Sequence, residues 1–291
     1  MDIMKDLTVS ERIRSKFEEL TRAERQLANA ILQNYPVSGL GSITDVAEAS
    51  GVSSPTVARM AKKLGFSGFP DMQRALRGEL EAKISSPIAK HDRWTENAPD
   101  THILNRFADA VMDNLRQTLQ HINPDEFDQA AALLGDEKRR VHVLGGRITR
   151  SLADYFVTHM QVVRDGLVLL PANSNTWPHH VLNMTEGDLL VIFDIRRYEH
   201  DILRLAEMAK ERDVGIVLFT DQWGSPIIKH ATHTFHCRVE APSAWDSSVV
   251  TLFVVEAVIS AVENENWDKT KERMGTLETL FDQMKMFRKF T

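Results

Sequence analysis

A chain of 291 residues with 43% hydrophobic and 26% charged residues is long enough for about two globular domains, each able to bury its own core. No apolar run approaches the roughly 18 residues of a membrane span, and the start Met1-Asp2-Ile3-Met4-Lys5 lacks a signal-peptide core. The single Cys237 excludes an internal disulfide and a cysteine-rich zinc site, so a cytoplasmic protein is expected. The net charge of −6 is unevenly divided. Up to Lys90 there are 13 basic against 11 acidic residues, a net of +2, and the remainder carries 22 against 30, a net of −8. A small basic excess at one end suits a dimer making a few phosphate contacts per half better than a protein that coats nucleic acid.

In chain order, Val9 to Leu20 reads as a helix with Ile13 and Phe17 inward. Thr21 and Glu24 offer a capping box for a second helix that carries Leu27, Ala28, Ile31 and Leu32 and breaks at Asn34-Tyr35-Pro36. From Ser42 the signal sharpens. Ile43, Val46 and Ala47 recur at helical spacing and stop at Gly51, where a positive φ permits a sharp turn. Ser53 or Ser54 then caps a helix with Pro55 in its first turn, its inward stripe being Val57, Met60, Ala61 and Leu64, and Gly65 ends it. Two short helices joined by a glycine turn form the helix-turn-helix pattern, whose second helix enters the DNA major groove. The candidate DNA-binding residues are Ser53, Ser54, Thr56, Arg59, Lys62 and Lys63, of which all but Ser53 are expected to face outward. Phe66 and Phe69 flank a tight turn beneath this helix and read as core plugs, and Met72, Leu76 and Leu80 follow on a last helix.

The Leu20-Thr21 helix start, Val52-Ser53, the Thr56-Val57-Ala58-Arg59 run and Lys63-Leu64-Gly65-Phe66-Ser67-Gly68-Phe69 together resemble the N-terminal domain of the RpiR (MurR/RpiR) family of bacterial transcription regulators. The resemblance covers about the first 80 residues. It implies an operator-binding domain followed by a sugar-isomerase-type (SIS) domain that senses a small molecule, usually a phosphosugar.

Ser85-Ser86-Pro87 ends the first domain, and the polar stretch to Asp100, with Pro99, reads as a linker. Residues 1–84 are thus expected to be an all-α DNA-binding domain, 85–100 a linker and 101–291 an α/β domain. Ile103, Phe107, Val111, Leu115 and Leu119 trace a long amphipathic helix, as scaffold or as dimer contact, and Pro124 starts another through Leu134. Four short apolar runs then alternate with helices, Val141–Leu144, Gly166–Leu170, Asp188–Phe193 and Val214–Phe219, and Thr232–Val239 reads as a fifth strand. Apolar strands alternating with helices predict a parallel sheet covered on both faces, with ligands beyond the strand C-termini. The helix from Ala244 to Val262 is apolar on nearly all sides, which fits deep burial or a share in a dimer interface.

The candidate effector-binding residues stand at the strand ends. Gly145, Gly146, Arg147 and Thr149 follow the first strand and open a helix, where glycines let a ligand approach and the helix N-terminus favours an anion. This is neither a dinucleotide fingerprint nor a phosphate loop of the GxxxxGK[ST] type. Asp194, Arg196 and Arg197 end the third strand, where the arginines can fork a carboxylate or phosphate or pair with Asp194 or Glu199. Thr220 and Ser225 add short polar groups, Ser225 being also a natural helix cap, and Asn173 to Thr176 reads equally as a contact or a cap.

The order of segments from about Asn105 onward resembles the SIS domain, most clearly at Gly145, Asp188 and Thr220-Asp221 with Ser225-Pro226. The resemblance implies a five-stranded parallel sheet in a flavodoxin-like sandwich. In phosphosugar-binding SIS domains the third strand ends in a Ser-x-Ser-Gly-x-Thr cradle. Here those positions hold Asp194, Arg196, Arg197 and Glu199, and Thr149 takes the place of the first-loop serine. The effector is therefore left open between a sugar phosphate and a carboxylate-bearing metabolite. His142 and the pair His179-His180 in a loop read as packing or surface residues, and Glu256 as an interface residue. With no catalytic residue, metal site or cofactor motif to name, the leading reading is a ligand-responsive regulator acting as a homodimer or dimer of dimers on double-stranded operator DNA, with no membrane partner. A sugar-phosphate isomerase with an accessory helical domain is the alternative, and a ligand-blind DNA protein a third reading.

Overall fold

The computed structural model describes residues 7–96 and 101–287, so the Met1–Lys5 start and the expected linker's Pro99 lie outside the described residues. The chain divides into two compact units. One comprises Met1–His121 with Asp221–Lys229 and His236–Ser247, and the other Ile122–Thr220 with His230–Phe235 and Ser248–Thr291. Among the described residues no helix is long and apolar enough to cross a membrane, and no group of three or more His, Cys, Asp and Glu could hold a metal ion.

The first unit opens with α1 (Val9–Ser15), capped by a Thr8–Glu11 box, and the single helix expected to Leu20 instead stops there. A 3-10 turn, Phe17–Glu19, follows because Arg25 takes up its carbonyls, donating to Phe17 O at 3.2 Å and Glu18 O at 2.9 Å. Helix α2 (Arg22–Gln33) begins at the expected Thr21–Glu24 box. Helices α3 (Ile43–Ala49) and α4 (Ser54–Lys63) form the helix-turn-helix, with Gly51 at φ +64° in the turn and Gly65 at φ +88° closing it. Helix α5 (Phe69–Ile84) packs beneath them. Ile13, Leu27, Ile31, Val57, Met60, Leu64, Phe66, Phe69, Met72 and Leu76 fill one core, and Phe17 packs against it half-buried. At its edge the half-buried Glu79 accepts from Val9 N at 2.8 Å and from the Tyr35 hydroxyl, and desolvation of its carboxylate pushes its pKa up to about 7.

Two further helices of this unit depart from expectation. The linker stretch contains α6 (Pro87–Glu96), started by Ser86, whose hydroxyl accepts from Ala89 N at 3.2 Å. It is fixed by the buried Lys90 ammonium, which pairs with Asp246 at 2.5 Å. Helix α7 (Ile103–His121) forms as read, but its buried residues are Asn114, Gln117 and Thr118, while Ile103, Leu104, Met112 and Leu119 are exposed. The polar face is inward because it meets backbone: Asn114 donates to Glu240 O at 2.6 Å, and Thr118 accepts from Arg238 N at 3.0 Å. Arg238 also grips the Glu11 carboxylate, through Nε at 3.0 Å and through Nη2.

The second unit is built on the sheet. After α8 (Pro124–Gly135) come β1 (Val141–Gly145), α9 (Arg150–Val163), β2 (Leu167–Leu169), α10 (Trp177–Asn183), β3 (Leu189–Asp194), α11 (His200–Lys210), β4 (Gly215–Asp221) and β5 (His233–Cys237). The strand order is β2-β1-β3-β4-β5, with parallel pairing of β1 to β2 and β3 and of β3 to β4. This is the flavodoxin-like order, whose switch point lies between β1 and β3. Strands β1 and β3 are buried throughout, while the edge strand β2 is only half-buried. Phe193, Phe219 and Phe235 stack across neighbouring strands with ring centroids 4.8 and 5.0 Å apart. His179 and His180 belong to α10 rather than to a loop, since Pro178 suits its first turn. The apolar helix is α12 (Val249–Glu265), starting five residues later than read. Val250, Val254, Val255, Val258, Ile259 and Val262 are inward, and Val249 and Phe253 stay exposed. A final helix, α13 (Trp267–Met284), has only Thr270 buried, so its pattern gave no apolar stripe to read.

Candidate functional site

On the helix-turn-helix, α4 turns Val57, Met60 and Ala61 fully inward and leaves Arg59 and Lys62 exposed, with Ser53 exposed and Ser54 half-buried. Two residues of the expected outer face are not there. Thr56 is only 5% exposed, because one turn places it beside the core stripe. Its hydroxyl pairs with Ser53 Oγ at 3.0 Å and accepts from Arg59 Nη2 at 3.2 Å. Lys63 folds back on the domain, its ammonium 2.7 Å from the buried Glu24 carboxylate and 3.1 Å from Glu19 O. Ser53 occupies the cap position without a capping bond, its hydroxyl being shared with Thr56. Arg12 supports the helix from behind, stacking its guanidinium 4.2 Å from the Phe66 ring centroid and donating to Leu64 O at 3.3 Å.

In the second unit the end of β1 and the end of β3 are tied together. Gly145 lets the chain turn tightly into α9: a Cβ there would lie 2.3 Å from the Thr149 carbonyl oxygen. The Thr149 hydroxyl accepts from Gly146 N at 2.8 Å and donates to Phe193 O at 2.7 Å, so this buried group joins the two strand ends rather than facing outward. Thr220, also fully buried, does the same for the next pair, donating to Asp194 O at 2.8 Å. Between them, Arg196 and Arg197 both adopt left-handed backbone, φ +44° and +48°, which costs free energy in non-glycine residues and clusters at functional loops. Arg147 and Arg197 are exposed and Arg196 half-buried.

Gly145, Gly146, Arg147, Thr149, Asp194, Arg196, Arg197 and Thr220 are thus all placed on linked strand ends. Ser225 is held in the first unit, its hydroxyl accepting from Ile227 N at 3.1 Å as the cap of the 3-10 turn Pro226–Lys229. Asn173 likewise caps, accepting from Asn175 N at 3.1 Å. A residue not chosen from sequence joins the loops: the Glu199 carboxylate accepts from Arg147 N at 2.9 Å. Its one sequence signal is its place at the last position of the altered cradle. Replacing Gly145 with alanine sets a new methyl against backbone that cannot swing aside. A loss of about 1–3 kcal/mol in urea unfolding is expected, together with displacement of the Gly146–Thr149 loop.

His142 is buried inside β1, and burial lowers its pKa, which keeps the ring neutral near pH 7. Asp188, 3.9 Å away, is engaged by Arg140 N at 3.1 Å and Thr185 N at 2.9 Å, as a clamp at the opposite end of the strands.

Residues 7–83 match the helix-turn-helix domain of the rpiR family, and residues 134–261 match the SIS domain. The chain is 27% identical over 230 residues to the HTH-type transcriptional regulator HexR of Pseudomonas aeruginosa, covering 76% of each chain. It is 24% identical over 227 residues to the HTH-type transcriptional regulator RpiR of Escherichia coli, covering 76% of this chain and 73% of that one. Among solved structures, the Vibrio vulnificus NanR protein complexed with ManNAc-6P shares the fold over 97% of this chain and 99% of its own, with a TM-score of 0.56 at 18% identity.

Proposed function

Because this chain belongs to the RpiR family of helix-turn-helix transcription regulators with a SIS domain, we propose that it binds operator DNA and adjusts that binding to a small anionic metabolite. On this reading residues 1–84 bind DNA, residues 85–100 connect, and residues 101–291 sense the effector and dimerise. The observation that carries it is the exposed Arg59–Lys62 face of α4, whose opposite face is wholly committed to the core. On this reading Ser53, Ser54, Arg59 and Lys62 meet bases and phosphates. The effector, a sugar phosphate or a carboxylate, is assigned to the linked strand ends carrying Arg147, Arg196 and Arg197. The ManNAc-6P named with the NanR structure supports a small anion as the kind of ligand.

A dimer, or a dimer of dimers, presents two recognition helices to half-sites about one helical turn apart, so an effector that favours one orientation of the pair changes affinity. A tenfold to hundredfold change corresponds to about 1.4–2.7 kcal/mol of coupling. The test is operator binding by Arg59→Ala and Lys62→Ala, using the DNA upstream of the chain's own gene. Each is expected to weaken binding by about 1–3 kcal/mol, and a variant that removes a phosphate contact lowers the salt slope by about one. Unchanged affinity and slope in both would remove α4 as the recognition helix. Catalysis has no comparable support: the relatives are named as regulators, and His142, a possible base, is shut inside a strand.

A further inference from the structure

The strand-end loops of the second unit hold a carboxylate of their own. Glu199 Oε1 accepts the Arg147 N–H at 2.9 Å, and a Cβ on Gly146 would lie 2.7 Å from the same oxygen. The glycine therefore makes room for this carboxylate. Glu199 stands at the N-cap position of α11 yet makes no capping bond to that helix. Its charge is committed across 52 positions of sequence to the loop that opens α9.

Amides before a helix are where an anion is received, and in this loop Gly146 N is taken by the Thr149 hydroxyl and Arg147 N by the Glu199 carboxylate. Formal charge then decides which anion. Arg147, Arg196 and Arg197 bring three positive charges to the loops, and Asp194 and Glu199 two negative ones, a net of +1. A phosphomonoester carries about −1.5 to −2 near pH 7 and would meet the Glu199 carboxylate as a like charge at close range. A carboxylate carries a single charge that the net +1 balances.

We propose that Glu199 is a specificity-determining residue that excludes phosphate dianions from the β1–α9 loop and restricts the effector to a monoanionic, carboxylate-bearing metabolite. This rests on the reading that the strand ends sense an anion, and it decides between the two effector classes left open there. Where a phosphate cradle offers hydroxyls, this chain fixes a negative charge, and its arginines serve a ligand of lower charge.

The test uses the full chain, as wild type, Glu199→Gln and Glu199→Thr. Glutamine keeps an oxygen for Arg147 N and removes the charge; threonine also supplies a hydroxyl, and both changes are at an exposed position. Each protein is titrated with inorganic phosphate, glucose 6-phosphate and gluconate, reading the melting temperature and the fitted Kd. Both variants are expected to bind inorganic phosphate at least about tenfold more tightly than wild type, and to shift the preference between glucose 6-phosphate and gluconate toward the phosphate by a similar factor. If wild type binds inorganic phosphate as tightly as both variants, Glu199 excludes nothing and the inference falls, while anion sensing stands. If none of the three proteins responds to any of the three anions, the anion-sensing reading fails and takes the inference with it.

Discussion

Replacing Arg164 with methionine is expected to cost about 3–5 kcal/mol of stability, among the largest single-residue effects in the chain. Arg164 is only 2% exposed, and its guanidinium donates to the carbonyls of Leu134 and Arg139, to Asp136 O at 3.0 Å and to Asp165 O at 2.9 Å. It thereby ties the end of α8, the turn leading to β1 and the start of β2 into one piece. Methionine fills much of the volume but donates nothing, so several buried carbonyls lose their partner at about 1–3 kcal/mol each before relaxation. Lysine is not a rescue, because one ammonium cannot reproduce the planar fork. The measurement is urea unfolding of both variants. A fall in the midpoint without a change in slope gives the stability loss directly, and a midpoint within experimental error of wild type would show that the guanidinium is dispensable.

The second large effect depends on pH. Glu79 is raised from an ordinary 4.5 to about 7, chiefly by burial, with the neighbouring Glu11 acting in the same direction and the Tyr35 hydrogen bond against it. Below pH 4.5 the carboxyl is protonated in both the folded and the unfolded chain and contributes no dependence. Between about 4.5 and 7 the unfolded chain releases the proton while the folded chain keeps it, so stability is lost as pH rises. Above 7 both are ionised and the loss is complete, at up to about 3 kcal/mol. Glu79→Gln removes this dependence. Between pH 5 and pH 8 wild type should lose up to about 3 kcal/mol more than the variant in urea unfolding. Equal losses in the two proteins would mean that the carboxyl is not held protonated.

The helix-turn-helix was legible because its signals are local. Gly51 and Gly65 need positive φ, Pro55 fits only a first turn, and the Val57–Met60–Ala61–Leu64 stripe has one possible inner side. Thr56 was not, because at the margin of that stripe a threonine can turn to either side, and the Ser53 hydroxyl three residues earlier draws it in. The sheet followed from four apolar runs, with the fifth strand read at Thr232–Val239 despite its histidines and threonines. The remaining differences come from partners far away in sequence. Helix α6 is fixed by an ion pair 156 positions downstream, the inner face of α7 is polar because it meets the backbone of Arg238 and Glu240, and Glu199 reaches Arg147 across 52 positions. The sequence showed that the hydroxyl cradle was missing and that Glu199 stood at its last position, but not that this carboxylate reaches the β1–α9 loop.

The grip of Arg238 on Glu11, and of Asp246 on Lys90, bears on how the molecule can be dissected. The compact unit that contains the helix-turn-helix is discontinuous, taking in 221–229 and 236–247. A protease or an engineered cut near residue 84 would therefore not release a finished domain. The N-terminal fragment would carry Glu11 without its guanidinium, and the remainder would carry Arg238 without its carboxylate. Complementation of the two pieces in solution, rather than independent folding of each, is the behaviour that this threading of the chain favours.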